Sequence, residues 1–270
     1  MQSFTIHEFK IFAPLMLNDQ GTFAYLDTGA AGHAISPLAA TGMEEVGKEV
    51  IRGALGQEER RVVRIDRLTF LGETFCAVHA SVEEALVALE GVPFQVGMRL
   101  GVPILLARPL VVDFKRLRIG FVSPPFHSDL IHIPTKFVRG LPIFEGYLEG
   151  KPLQVIFDLG AGFSVLNSVR REELGLEPDL AYSEEVNDPS GAKATVPVWR
   201  HSQLGVGGFL LGECEFLAMD LTAVEAGLGR RIDFILGVNT MLRSGCVWVI
   251  DPSSSCIWLT DTVIDVADSR

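Results

Sequence analysis

The sequence is poor in three things, and each shortage excludes something. No run of 18 or more apolar residues occurs in its 270 residues, so no membrane-spanning helix is expected. The most apolar segment, residues 101–112, is broken by Arg108 and Pro109. Positive charge is scarce: 23 Lys and Arg stand against 34 Asp and Glu, a net charge of −11. Nucleic acids and anionic membranes both call for clustered cations, so neither is expected as a partner. The densest basic cluster, Lys115-Arg116-Leu117-Arg118, is short and reads as the solvated face of a strand. Cysteine is thin too, with Cys76, Cys214, Cys246 and Cys256 at spacings that fit no zinc template. The first ten residues lack the charged-then-apolar layout of an export signal. The four cysteines are therefore read as thiols in a cytoplasmic protein.

What is present is material for a core. Hydrophobic residues make up 48% of the chain and charged residues 21%, which is not a disordered composition. The length fits one large domain or two smaller ones. Short β-rich runs at 4–12, 13–17, 22–26, 61–70, 75–79 and 110–122 are predicted strands. Asn18-Asp19-Gln20-Gly21 is a hairpin turn, and helical patterns fall at 37–47 and 82–89. The fold class expected is mostly β with a few short helices.

One stretch organises the rest. An apolar run drives into Asp27-Thr28-Gly29-Ala30, so a strand should end in a tight turn that leaves a carboxylate among small residues. The chain repeats this at Asp158-Leu159-Gly160-Ala161, 131 positions on (158 minus 27), with Leu in place of Thr. Further matches follow in the same order. Gly72 aligns with Gly212 and Gly97 with Gly237, both at an offset of 140, and Asp113 aligns with Asp251 at 138. Ordered matches at a nearly constant offset point to an internal duplication. Two lobes are expected, at 1–122 and 138–262, joined by a linker at 123–137 and followed by a tail at 263–270. Extra residues of the second lobe are placed around 187–193, a loop-tip composition.

Both halves share an apolar run, Asp-Thr-Gly-Ala or its variant, and a distant apolar-Gly: Tyr25-Leu26-Asp27-Thr28-Gly29-Ala30 with Gln95-Val96-Gly97, and Ile156-Phe157-Asp158-Leu159-Gly160-Ala161 with Ile235-Leu236-Gly237. This pattern resembles the pepsin/retropepsin group of aspartic proteases. The Ala after Gly and the short lobes look like the bacterial or retroviral retropepsin-like branch; two lobes in one chain look like pepsin. The resemblance implies a bilobal pseudo-two-fold β fold with Asp27 and Asp158 at the floor of a cleft. They would be the catalytic pair, supported by Thr28, Gly29, Ala30, Leu159, Gly160 and Ala161. It also implies a flap, here Gly53, Ala54, Leu55 and Gly56, and a second-lobe hairpin near Pro189-Ser190-Gly191. The substrate would be a peptide or protein. No metal or organic cofactor is implied, and a monomer suffices because one chain carries both aspartates. Two carboxylates in contact cannot both ionise easily, so the pair would hold one proton and activate a water against an amide carbonyl.

The sequence departs from the family in one telling place. Thr or Ser usually follows each aspartate, and each hydroxyl bonds to the opposite loop. Thr28 can do this; Leu159 cannot. The alternative reading is therefore an inactive, protease-fold module that binds peptides. Other candidates read as structure. Gly160-Ala161-Gly162 and Gly205-Val206-Gly207-Gly208 lack a nucleotide fingerprint. His127 and His132 lack a metal-binding framework, His33 is placed in packing or solvent contact, and Cys246 and Cys256 remain thiols.

Overall fold

The computed structural model describes residues 1–52, 57–86, 89, 92–124, 130–175, 179–187 and 193–261. Apolar alternation lays down the first hairpin. In Lys10–Leu17, Leu15 and Leu17 turn inward while Pro14 and Met16 turn out. The partner strand Gln20–Leu26 follows through Asn18 and Asp19, whose φ values of 43° and 70° suit the residue types that tolerate the left-handed region.

An eight-stranded sheet grows from this hairpin in the order Thr5–His7, Lys10–Leu17, Gln20–Leu26, Val96–Leu100, Ala34–Ile35, Glu73–Val82, Gln57–Phe70, Glu44–Arg52. Lys10–Leu17 also pairs with Gln57–Phe70, which curls the sheet toward a barrel. Eight strands of a thirteen-stranded sheet run in the same relative order: Ile131–Val138, Leu141–Leu148, Lys151–Phe157, Phe234–Leu236, Ser164–Asn167, Phe209–Met219, Lys193–Val206, Asp179–Asn187. There Leu141–Leu148 pairs with Lys193–Val206 in the same curling way.

The remaining five strands of that larger sheet tie the two ends of the chain together: Gln2–Ser3, Arg118–Phe121, Leu110–Asp113, Val247–Asp251 and Cys256–Thr260. At the centre Leu110–Asp113 runs antiparallel to Val247–Asp251, with Val111 opposite Val249. These two valines are 138 positions apart (249 minus 111), the offset at which Asp113 and Asp251 align. One apolar core is continuous across the halves, with Ile11, Leu26 and Met98 in the same cluster as Phe157, Leu236 and Trp248. Among the described residues no helix is long and apolar enough to cross a membrane.

The mostly-β class stands, and four finer expectations are revised. Residues 37–47 are not a helix. Ser36 starts one turn, its carbonyl taking the Ala40 N–H at 3.0 Å and its Oγ the Ala39 N–H at 3.3 Å, and Gly42 at φ 78° ends it before the strand Glu44–Arg52. In 82–89, Val82 ends the strand Glu73–Val82 and Glu84–Leu86 is a 3₁₀ turn, while residues 87 and 88 lie outside the described residues. The turn counterpart of Leu71-Gly72, between Gln57–Phe70 and Glu73–Val82, is Gly207-Gly208 between Lys193–Val206 and Phe209–Met219; Gly212 lies inside the latter strand. The counterpart of Gly237 is Gly101, not Gly97, because each closes the short strand that lies parallel to an aspartate strand. Both corrected pairs are offset by 136 (208 minus 72, and 237 minus 101). Of the segment 123–137, Ile131–Val138 is a strand bridging Cys256–Thr260 and Leu141–Leu148.

Candidate active site

Asp27 ends Gln20–Leu26 and Asp158 ends Lys151–Phe157. Each is anchored by its backbone to the neighbouring parallel strand: Asp27 N–H donates to Leu100 O at 2.9 Å and Asp158 N–H to Leu236 O at 3.1 Å. Those strands stop at Gly101 and Gly237. A β-carbon at Gly101 would strike the Ala30 and Gly32 carbonyls, and one at Gly237 the Phe163 backbone. The Gly101 N–H donates to His33 Nδ1 and the Gly237 N–H to Ser164 Oγ, both at 3.0 Å. His33 and Ser164 each lie six positions beyond an aspartate. Burial, with Arg99 nearby, lowers His33 to about 4, so the imidazole is a neutral acceptor at ordinary pH.

The two acidic loops meet. Asp27 Oδ1 takes the Gly29 N–H at 2.9 Å and Asp158 Oδ1 takes the Gly160 N–H at 2.7 Å. Each carboxylate also lies over the other loop's glycine: a β-carbon on Gly29 would overlap Asp158, and one on Gly160 would overlap Asp27. Only glycine permits this approach. Burial and the Asp27 charge push Asp158 up from 3.8 to about 7, against the pull of the Gly160, Gly29 and Ala161 amides. The Asp27 charge is therefore felt directly at Asp158.

Beside the Gly29 amide's pull on Asp158, three bonds made by first-half side chains sew the loops together. Thr28, fully buried, accepts the Leu159 N–H at 2.8 Å and donates to Phe157 O at 3.1 Å. Leu159 has no hydroxyl to return the bond and buries its side chain in the core instead. Tyr25 supplies a further link, its hydroxyl donating to Gly160 O. Burial, then Asp27 and Asp158, raise the phenol well above its ordinary value, so it stays a donor.

Residues 144–240 match the family model described as Aspartyl protease. The match spans rather more than a third of the chain and includes Asp158, Leu159, Gly160 and Gly237. No curated protein matches the chain. The aspartyl protease likeness therefore covers the second loop, and the first loop is joined to it by the contacts above.

The first half adds a charge cluster that sequence patterning missed. Arg99 Nη1 reaches Asp27 Oδ2 at 2.6 Å, while its Nε and Nη2 hold Glu83 Oε2 at 3.1 and 3.0 Å. Arg60 Nη1 approaches the same Glu83 oxygen at 3.2 Å, and Arg60 Nε bonds Glu58 at 2.7 Å. The Arg99, Asp27 and Glu83 side chains are 9%, 10% and 7% exposed. Burial alone would lower the Arg99 guanidinium; Asp27 and Glu83 outweigh it, and its affinity for its proton is raised. Arg99 was hidden because the Gly97 match placed Gln95 opposite Ile235. Aligning Leu100-Gly101 with Leu236-Gly237 puts Arg99 there instead.

Other sequence candidates fall elsewhere. Gly53, Ala54, Leu55 and Gly56, and Pro189-Ser190-Gly191, lie outside the described residues, as does His127. His132 Nε2 stands 2.6 Å from Cys256 Sγ, edge-on to Trp258. All four cysteines are free thiols, and burial pushes Cys214 up to about 12, which leaves it unreactive. Among the described residues no group of three His, Cys, Asp or Glu side chains is placed to hold a metal ion.

The raised Asp158 makes stability depend on pH. The fold favours its protonated form, so this contribution is complete below about pH 4 and is lost as pH rises through about 7. Asp158→Asn keeps the shape and has no charge to bury. The variant is expected to be about 2–4 kcal/mol more stable than the parent at pH 8, and within about 1 kcal/mol of it at pH 3.5. Urea unfolding at the two pH values measures the difference. A parent and variant that track each other across that range would contradict it.

Proposed function

We propose that the protein is an aspartic endopeptidase in which Asp27 and Asp158 act as one catalytic pair. The observation that carries this reading is the mutual seating of each carboxylate against the other loop's glycine, with Asp158 raised by burial and by Asp27. The Aspartyl protease match over the second loop supports it. The chain is taken as two duplicated lobes, with the substrate extended in the cleft between them. The hairpin formed by Glu44–Arg52 and Gln57–Phe70 acts as the flap, and the peptide adds a strand to its edge.

The chemistry follows from a pair that shares one proton. The ionised aspartate takes a proton from water while the water oxygen bonds to the amide carbon. The protonated aspartate gives its proton to the carbonyl oxygen. The resulting gem-diol loses a hydroxyl proton back through the pair, the amide nitrogen takes a proton, and the C–N bond breaks. A carboxylic acid and an amine leave, and the pair again holds one proton.

The test is incubation with a mixed peptide library from acid to neutral pH. The expected result is cleaved peptides with new amino and carboxyl ends, absent with Asp27→Asn and Asp158→Asn. Cleavage that survives both substitutions overturns the reading. Peptides retained but uncut at every pH would favour the alternative of a protease-fold binding module, to which the missing hydroxyl at Leu159 points.

A further inference from the structure

The dyad reading leaves one feature unexplained: a buried arginine bonded to one aspartate and not to the other. The two halves place different residues at the same point of the sheet. In the first half Arg99 lies opposite Tyr25 and Ala34; in the second, Ile235 lies opposite Ile156 and Val165. Asp27 therefore has a guanidinium on Oδ2 and an amide on Oδ1, both of which can only donate. Asp158 has the Gly160 amide at Oδ1, with the Gly29 and Ala161 amides also drawing on its carboxylate, and an isoleucine where Asp27 has its cation.

We propose that Arg99, held in place by Glu83 and Arg60, is a positioning residue that keeps the shared proton on Asp158 and so makes Asp27 the base and Asp158 the acid. This rests on the peptidase reading for its consequence, but the proton's location can be read without any substrate.

The geometry makes the guanidinium hard to displace. Three of its bonds run to two carboxylates that are themselves buried. Arg60, which is 3% exposed and tied to Glu58, stands 3.2 Å from the same Glu83 oxygen that Arg99 holds. Among the described residues the other titratable groups near the pair are Tyr25, a raised phenol whose hydroxyl is committed to Gly160 O, and His33, a neutral imidazole committed to the Gly101 amide. Neither carries a charge at neutral pH. The asymmetry of charge around the two carboxylates therefore comes from Arg99. Opposite charge at such distances favours the ionised form by a factor of about 10 to 1000.

The test is carbon-13 NMR of protein labelled at the aspartate carboxyl carbons, with the two resonances assigned from Asp27→Asn and Asp158→Asn. In the parent the titration step near neutrality should fall almost wholly on the Asp158 carbon. In Arg99→Gln the preference for Asp158 over Asp27 should drop by a factor of about 10 or more, so that Asp27 takes a visible share of the step. Arg99→Lys, which keeps the charge, should return the step to Asp158. If Arg99→Gln does not fold, Arg99→Gln/Glu83→Gln removes both buried charges and reads the same quantity. A step on Asp27 in the parent overturns the proposal. So does an unchanged distribution without Arg99, or a Lys variant that behaves like Gln. Because no peptide is present, these outcomes are independent of whether the protein cleaves one.

Discussion

Asp27→Asn is expected to lower peptide cleavage by a factor of at least about 10² to 10⁴, the usual worth of a positioned acid or base. Asn matches Asp in size and can still accept the Gly29 N–H, so the loop has little reason to move. It cannot take a proton from water. Asp158→Asn is expected to lose as much, because an amide cannot give a proton to the carbonyl oxygen and return to the starting state. The discriminating variant is the double. Residues that act as a unit give losses that do not multiply. The double variant should therefore be no more than about tenfold worse than either single one. Multiplying losses, read from kcat/KM on one peptide, would mean that the two aspartates act separately.

Arg99→Ile is expected to cost about 3–5 kcal/mol of folding stability, because it strips a buried ion pair of one partner. The isoleucine itself fits a strand, as Ile235 shows at the matching place. The loss comes from what is left behind: Asp27 and Glu83, 10% and 7% exposed, lose the cation that lies between them. Arg60 still reaches Glu83, so Asp27 is the more exposed to the change. Adding Glu83→Gln should recover part of the loss, since it deletes one of the stranded charges. A loss under about 1 kcal/mol in urea unfolding at pH 7, typical of a solvated pair, would show that the cluster is not buried in solution.

The aspartate loops were legible because their signal is local. An apolar strand, a carboxylate and a glycine occupy adjacent positions, and the pattern recurs 131 residues later. The hairpin turn at Asn18-Asp19 was legible for the same reason. Four features were not. The helical spacing in 37–47 was overridden by Gly42, whose positive φ ends the turn that Ser36 begins. Gly72 and Gly212 share a Leu-Gly-Glu context, but only Gly72 sits in the turn. Most consequential was the second glycine of the first half. Sequence places Gly97 and Gly101 equally well downstream of Asp27. The choice depends on which one ends the strand parallel to Gln20–Leu26, and that is a pairing across the sheet. With Gly101 chosen, Arg99 falls beside Asp27, and the charge difference between the two loops becomes visible. Tyr25 was quoted in the motif, but its bond to Gly160 depends on how the loops approach, which no spacing encodes.

The absent hydroxyl at Leu159 also looks different beside the contacts. Thr28 alone makes both halves of its cross-loop bond, and Tyr25 adds a bond from the same side. The loops are joined asymmetrically, as they are charged asymmetrically.

The most direct test of the account is the pH dependence of kcat/KM for one cleaved peptide between pH 3 and 9. Asp158 must carry its proton to act as the acid, and it loses that proton near 7. The rate is expected to fall by about tenfold per pH unit above that value. It should be lost at every pH in Asp27→Asn. A rate that keeps rising above pH 8, or that persists in Asp27→Asn, would contradict a site built from these two aspartates.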